Sequence, residues 1–177
     1  AVAGTTYLQV SKCNTDALPF VLGTGGFTLH QNDCIASPPG TLATLLPYIV
    51  RIYYLSSCSV CGSDTLPTLK MIEFADGAFT TIPLVEGIEN LQFDYGIDGN
   101  DDGAPDSYTA APIAAEWEDV VAVKVNLLAR NNEPTPGYTD AKSYDMGLAG
   151  VVAPGGNYKR HAYNQMVRVI NPAGRRE

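Results

Sequence analysis

Residues 98–106 read Asp-Gly-Asn-Asp-Asp-Gly-Ala-Pro-Asp, with oxygen-bearing side chains at Asp98, Asn100 and Asp102, a bend-permitting Gly103, and Asp106 three positions further on. This is the spacing with which a chain curls around calcium. The ion takes about six to eight oxygens at ~2.3–2.6 Å, and a chain supplies them from the first, third and fifth side chains, the seventh carbonyl and the ninth residue. Here those are Asp98, Asn100, Asp102, the Ala104 carbonyl and Asp106. Three carboxylates on one short loop also need a cation to relieve their repulsion. The pattern departs at its twelfth position, where a bidentate Glu belongs and Thr109 stands. The missing ligand would come from Asp94, Asp101, Glu116 or Glu118. The expectation is a weak calcium loop between strands, in the ~10⁻⁴–10⁻³ M range of extracellular modules. The alternative is a solvated Asp/Gly turn with no ion.

The four cysteines are Cys13, Cys34, Cys58 and Cys61. Four cysteines allow three pairings. The sequence-local pairs Cys13–Cys34 and Cys58–Cys61 are the expected ones, the first closing a Gly-rich loop and the second a tight turn between strands. Two disulfides imply an exported protein. A redox-active Cys-x-x-Cys gains its low thiol pKa at a helix N-terminus. Cys61 instead runs into Gly-Ser-Asp and Pro67, a turn. A zinc site would need a further Cys or His pair at short spacing, and the two histidines, His30 and His161, lie far apart.

No catalytic signature accompanies these features. The chain has no Gly-x-Ser-x-Gly elbow, phosphate-binding lysine loop, dinucleotide glycine motif or His-Glu-x-x-His. Glu116, Glu118 and Asp119 flank Trp117 and would be the only carboxylates to consider for glycosidase work. A solvated acidic turn is the simpler account of them. The expectation is a protein that is not an enzyme.

The elements that must position these residues are strands. Residues 5–10, 20–22, 27–30, 49–55 and 68–74 are rich in β formers, and so are 79–82, 91–97 and 158–170. Pro83 is expected to end the strand that starts at Phe79. Val85, Ile88 and Leu91 recur every third residue, which predicts a short helical turn. In 120–129, Val121, Val123, Val125 and Leu127 point one way while Lys124 and Asn126 point the other, the pattern of a half-buried antiparallel strand. Residues 14–47 (with Pro38-Pro39-Gly40), 98–116 and 131–157 read as loops, Asp76-Gly77 as a turn, and 171–177 as a polar tail. Exposed tyrosines among Tyr53, Tyr54, Tyr138, Tyr144, Tyr158 and Tyr163 would favour protein or glycan contacts, although scattered sheet tyrosines are the plainer reading.

The composition agrees. The 177 residues include 17 Gly, 12 Pro and 10 Tyr but only 17% charged residues, which suits strands and long loops rather than a coiled coil, a helical bundle or a disordered tail. A net charge of −8 with no basic cluster excludes non-specific nucleic-acid binding and attraction to an anionic membrane surface. No apolar run is long enough to span a bilayer. The chain opens Ala-Val-Ala-Gly without Met, the look of a trimmed or processed product with something missing upstream. One domain over 1–177 is expected, mainly β or α+β with at most short helices, a loop-rich lobe over 1–47 and a sheet region over 48–175.

Several runs together resemble a known family. They are Arg51-Ile-Tyr-Tyr-Leu, Leu66-Pro-Thr-Leu-Lys-Met and Ile82-Pro-Leu-Val-Glu-Gly-Ile-Glu-Asn-Leu-Gln-Phe-Asp-Tyr-Gly-Ile-Asp, followed by the acidic loop. Trp117-Glu-Asp-Val-Val-Ala-Val-Lys-Val-Asn-Leu-Leu-Ala-Arg and the ending Tyr158-Lys-Arg-His-Ala-Tyr-Asn-Gln-Met-Val-Arg-Val-Ile-Asn complete them. In order and spacing these resemble the periplasmic domain of the PilW family of type IV pilus minor pilins, over about residues 48–175. The pseudopilin J subunit of type II secretion has a similar layout.

The resemblance implies a pilin-like antiparallel sheet. It also implies a role in pilus assembly, in initiation and the tip complex, together with other minor pilins, the major pilin and a tip adhesin. A hydrophobic helix upstream would anchor the subunit in the inner membrane, with this domain periplasmic and later extracellular in the pilus. Twitching motility and cell adhesion are among the roles such pili serve. The competing reading is a free-standing secreted calcium- or glycan-binding β module.

Overall fold

The computed structural model describes residues 4–35, 40–75 and 77–170. The expected turns at Pro38-Pro39 and Asp76 and the tail at 171–177 lie outside the described residues. Among the described residues twelve strands follow one another: β1 (Tyr7–Val10), β2 (Phe20–Gly23), β3 (Leu45–Pro47), β4 (Val50–Ser56), β5 (Thr68–Ala75), β6 (Ala78–Glu86), β7 (Ile88–Ile97), β8 (Ser107–Thr109), β9 (Val120–Arg130), β10 (Tyr144–Asp145), β11 (Val151–Val152) and β12 (Arg160–Arg168). Short 3₁₀ helices cover Ala114–Asp119 and Gly147–Ala149. The protein is mainly β.

The sheets have the orders β2-β1-β3, β4-β5-β6, β12-β9-β7-β8 and β10-β11. The chain forms two compact units. One comprises Ala1–Tyr53 with Met71–Ile82, and the other Tyr54–Lys70 with Pro83–Glu177. The division therefore does not fall at residue 47, because the chain re-enters the first unit through Met71–Ile82.

In the first unit a fully buried glutamine does the work of a strand. The Gln9 amide donates to the carbonyls of Leu29 (3.2 Å) and Ala43 (2.9 Å), and its oxygen accepts from the Leu29 N–H at 3.0 Å. Burying an amide costs free energy unless it is hydrogen-bonded, and all three bonds are met here. Residues 27–30 are consequently not the expected strand. Their backbone groups bond to the Gln9 side chain and to Ala43, and only His30 pairs with Leu42 as an isolated bridge. Asp16 anchors the same loop, accepting from the His30 N–H at 2.8 Å and meeting the His30 ring at 2.7 Å.

Two further expectations fail at Pro83 and Gly87. β6 runs straight through Pro83, and it can do so because β6 is an edge strand. A strand paired on one side only has positions where a proline costs the ladder nothing. Residues 85–91 form no helical turn. β6 ends at Glu86, Gly87 takes φ +78°, and β7 begins at Ile88. The Gly87 N–H donates to the Pro67 carbonyl at 2.7 Å, and its own carbonyl accepts from the Arg130 N–H at 2.8 Å. A Cβ at Gly87 would lie 2.5 Å from the Arg130 carbonyl oxygen, so only glycine fits.

β9 is the centre of the second unit, paired with β7 on one side and β12 on the other. Its alternation is as expected, and Val121 (0% exposed) is buried on the expected side, but further along the strand the buried residues lie on the opposite side. Leu128 (1% exposed) and Asn126 (4%) are buried, whereas Val123, Val125 and Leu127 are only half-buried. The cover is the segment 140–152, whose Tyr144 and Met146 pack with Leu128, Val152 and Ala162.

Candidate functional site

Three features of the second unit bear on function: the polar anchor under segment 140–152, the acidic loop, and the open face and edge of the four-stranded sheet. The anchor begins with Asp94 on β7 and Asn126 on β9. Asp94 accepts from the Asn126 amide at 3.1 Å and from the Leu148 N–H at 3.2 Å, and Asn126 in turn accepts from the Asn164 amide at 2.7 Å. Beside it, Arg160 donates to Glu89 (Nε to Oε2, 2.5 Å), to Asp140 (2.8 Å) and to the Gly155 carbonyl (2.6 Å). The arginine holds the Asp140 carboxyl below the usual carboxylate range. Burial, reinforced by the Asp140 hydrogen bonds, pushes the Tyr144 hydroxyl up to about 12. Arg130 meets Glu89 at 3.4 Å and stacks its guanidinium 3.8 Å over the Tyr158 ring. These charges are spent on holding a long loop against the sheet, an unshowy task that no motif advertises.

The acidic loop is closed by its own side chains. Asp98 is 1% exposed and accepts from the N–H groups of Asp102 (3.2 Å) and Gly103 (2.9 Å). Asn100 accepts from Asp102 N–H and Asp102 from Ala104 N–H, at 3.1 and 2.9 Å. Asp106 accepts from the Gly99 N–H at 2.9 Å and from the Asn100 amide at 3.3 Å. Gly103 takes φ +82° at the bend and Asp101 φ +64°. The structure thus gathers Asp98, Asn100, Asp102 and Asp106 around one loop, with Ala104 exposed on its rim. Of the suggested extra ligands, Asp101 lies in the loop itself. Asp94 serves the anchor, and Glu116 accepts from the Ile113 N–H at 2.9 Å. Among the described residues, no three His, Cys, Asp or Glu side chains converge as a metal-holding group.

The sheet face opposite the anchor is apolar and open. Successive side chains alternate across a strand, which puts Leu91, Phe93, Val123, Val125, Leu127, Tyr163 and Val167 on one side, with the polar His161 and Gln165 of β12 among them. Phe93 (38%), Tyr163 (56%) and Val167 (49%) are exposed there. Tyr95 continues this face and meets the half-exposed Trp117 edge-on at 5.0 Å between ring centroids. β12 is also the end strand of the order β12-β9-β7-β8 and has nine residues. On the anchor side of the same strand, Met166 and Arg168 join Asp102, Gly103, Ala104, Pro105, Val121 and Ala122 around a cavity of about 470 Å³.

Residues 52–171 match the family model of the type IV pilus-assembly protein W, PilW. The chain belongs to the PilW family. It is a protein of type IV pilus assembly, and that places it with the cell envelope. The matched span holds β5 to β12, most of β4, the acidic loop and the Cys58–Cys61 pair, and leaves out Cys13 and Cys34. No curated protein and no solved structure matches the chain. Among the described residues of this PilW-family chain, no helix is long and apolar enough to cross a membrane.

Both expected disulfides are present, Cys13–Cys34 and Cys58–Cys61. The tyrosines do not form one exposed cluster. Tyr144 is buried, Tyr158 lies under Arg130, and Tyr53 and Tyr163 are exposed separately. His161 sits on the surface of β12 with its ring 4.4 Å from that of Tyr163. Sequence reasoning missed the anchor of Asp94, Asn126, Glu89, Arg160 and Asp140. A signal existed in the polar Asn126 amid the apolar run of β9, since a polar residue in a central strand needs a buried partner.

Proposed function

We propose that this chain is the globular domain of a minor pilin that helps initiate the pilus and sits in its tip complex. In this reading it is inserted in the inner membrane through a hydrophobic N-terminal helix, exposes this domain to the periplasm, and is later carried outside in the pilus. Its partners are other minor pilins, the major pilin and a tip adhesin, and its role is structural rather than catalytic. The observation that carries the reading is the open apolar face of the β12-β9-β7-β8 sheet in a PilW-family chain. Monomeric proteins rarely leave such a face uncovered, and an apolar face with an exposed end strand suits lasting protein contacts.

The test is a strain lacking the gene. Loss of surface pili, restored by the wild-type gene but not by a Tyr163→Asp/Val167→Asp variant that still folds, is the expected result. Normal piliation without the gene would overturn the reading.

The same proposal assigns a weak calcium site to the acidic loop, with Asp98, Asn100, Asp102 and Asp106 as side-chain ligands and Ala104 through its carbonyl. The spacing and the Gly103 bend support it. The ion would have to compete with the backbone N–H groups that Asp98, Asp102 and Asp106 now accept from, which is a reason for low affinity.

A further inference from the structure

Lys70, on β5, is 6% exposed. Its ammonium has one hydrogen-bond acceptor among the described residues, the Sγ of Cys61 at 3.5 Å. A disulfide sulfur is a poor acceptor for a buried cation, whereas a thiolate is a strong one. Lys70 acts through space on the Asp64 carboxylate, which is already committed to the N–H groups of Ser59 (2.7 Å), Val60 (2.6 Å) and Leu66 (3.0 Å). The positive charge that a redox Cys-x-x-Cys takes from a helix N-terminus is therefore supplied here by a lysine on a strand.

The two sulfurs have different surroundings. Cys61 is exposed and lies beside Lys70, while the Ser56 hydroxyl is closer to Cys58 (3.3 Å) than to Cys61 (3.7 Å). Cys58 is buried but lines a cavity of about 600 Å³, together with Ser56, Ser57, Thr65, Glu89 and Arg130. Asp64 and the Ser63 N–H to Val60 carbonyl bond (2.9 Å) hold the loop beside the disulfide.

We propose that Cys58–Cys61 is a thiol-exchange site, reduced by a dithiol, in which Cys61 leaves as a thiolate paired with Lys70. A thiolate of the reductant attacks the Cys58 sulfur. A new S–S bond forms, the Cys58–Cys61 bond breaks, and its electron pair departs on Cys61. The second thiolate of the reductant then attacks its own half of the mixed disulfide and releases Cys58, which takes a proton from water. The reductant ends as a disulfide and the protein gains two electrons. Cys13–Cys34, where the Cys13 sulfur meets the neutral Thr15 hydroxyl at 3.0 Å, has no hydrogen-bonded cation among the described residues and is the internal control. This inference stands independently of the minor-pilin reading.

The test equilibrates the protein in glutathione redox buffers, traps thiols with N-ethylmaleimide and reads each pair by peptide mass spectrometry. Cys58–Cys61 is expected to reduce at a less reducing poise than Cys13–Cys34. Lys70→Met should shift the Cys58–Cys61 equilibrium about tenfold towards the disulfide, about 30 mV for two electrons. Lys70→Arg should keep most of the wild-type value, and Cys13–Cys34 should not move in either variant. In the reduced wild type, iodoacetamide should modify Cys61 before Cys58. A Lys70→Met value within twofold of wild type, or equal alkylation of the two cysteines, would overturn the proposal. Because the alkylation arm uses wild-type protein, it decides the matter even if Lys70→Met does not fold.

Discussion

The amide of Asn126 donates to the carboxylate of Asp94 at 3.1 Å across neighbouring strands, and both side chains are buried. This pair fastens the loop that covers Leu128. Asp94 also accepts from the Leu148 N–H, so a loop 54 residues away in sequence is fastened to it. A buried carboxylate must be paired, and the loop that pairs it also brings Met146 and Tyr144 onto Leu128.

Replacing Asp94 by Leu strands the buried Asn126 amide and the part-buried Leu148 N–H. Each unsatisfied group costs about 1–3 kcal/mol. Urea unfolding of Asp94→Leu should show a loss of about 2–4 kcal/mol by that principle. The Asp94→Leu/Asn126→Leu double variant should lose less than the sum of the singles. Additive losses would mean that the two residues do not act as a unit.

Gly147 and Gly150 make a matched comparison. Both have positive φ, +68° and +85°. A Cβ at Gly147 would overlap the Asp94 carboxylate and the Asn126 amide, whereas one at Gly150 meets nothing within 4 Å. Gly150 also has ψ −167°, a backbone essentially reserved for glycine, so Gly150→Ala should cost that strain alone, about 1–3 kcal/mol. Gly147→Ala should cost clearly more and should release segment 140–152 in hydrogen exchange. Equal melting temperatures for the two variants would contradict this.

Acid should loosen the first unit at Asp16. The His30 side chain, with help from the Ser11 hydroxyl and the His30 N–H, holds the Asp16 carboxyl at about 2, against 3.8 for a free Asp. Its folded value lies below its unfolded one. Its stabilisation is therefore complete above pH about 4 and is lost as pH falls towards 2. Asp16→Asn should be less stable at neutral pH and show a shallower decline between pH 4 and 2, measured as melting temperature against pH.

The two disulfides should differ in worth. Their cysteines are 21 and 3 residues apart. Loop-closure entropy then assigns about 3 kcal/mol to Cys13–Cys34 and about 2 kcal/mol to Cys58–Cys61. Paired Cys→Ala variants, compared by chemical denaturation, should rank in that order. A larger loss at Cys58–Cys61 would show that the short bridge carries structure beyond its loop.

Calcium binding is decided by calorimetric titration of the wild type beside Asp98→Ala and Asp102→Ala. Millimolar calcium should release heat in the wild type and raise its melting temperature by a few degrees, the linkage effect of a weak ligand. Both variants should lose the response. Silence in the wild type up to several millimolar would leave the loop as a turn closed by its own amides.

The sequence alone determined whatever depends on near neighbours. Alternating apolar residues marked β1, β5, β7, β9 and β12 because side chains flip with a period of two. Short separations marked both disulfides, and the order of the runs from Arg51 to Ile170 marked the family. Tertiary structure decided the rest. Pro83 ends a strand only where its missing N–H would face a partner, and an edge strand such as β6 has positions free of that demand. Val85, Ile88 and Leu91 have helical spacing, but Gly87 turns the chain where the Pro67 and Arg130 backbones supply its bonds. Residues 27–30 have strand composition, yet a glutamine eighteen or more positions away takes their place in the ladder. The alternation of β9 names two faces without saying which is covered, and the loop that covers Leu128 is fastened through Asp94, Asn126 and Leu148, residues remote from one another in the chain. Lys70 and Cys61 likewise meet only because a strand and a turn pack side by side. Spacing along a chain sets local geometry, but charges and hydrogen bonds between distant segments exist only once the fold has brought them together.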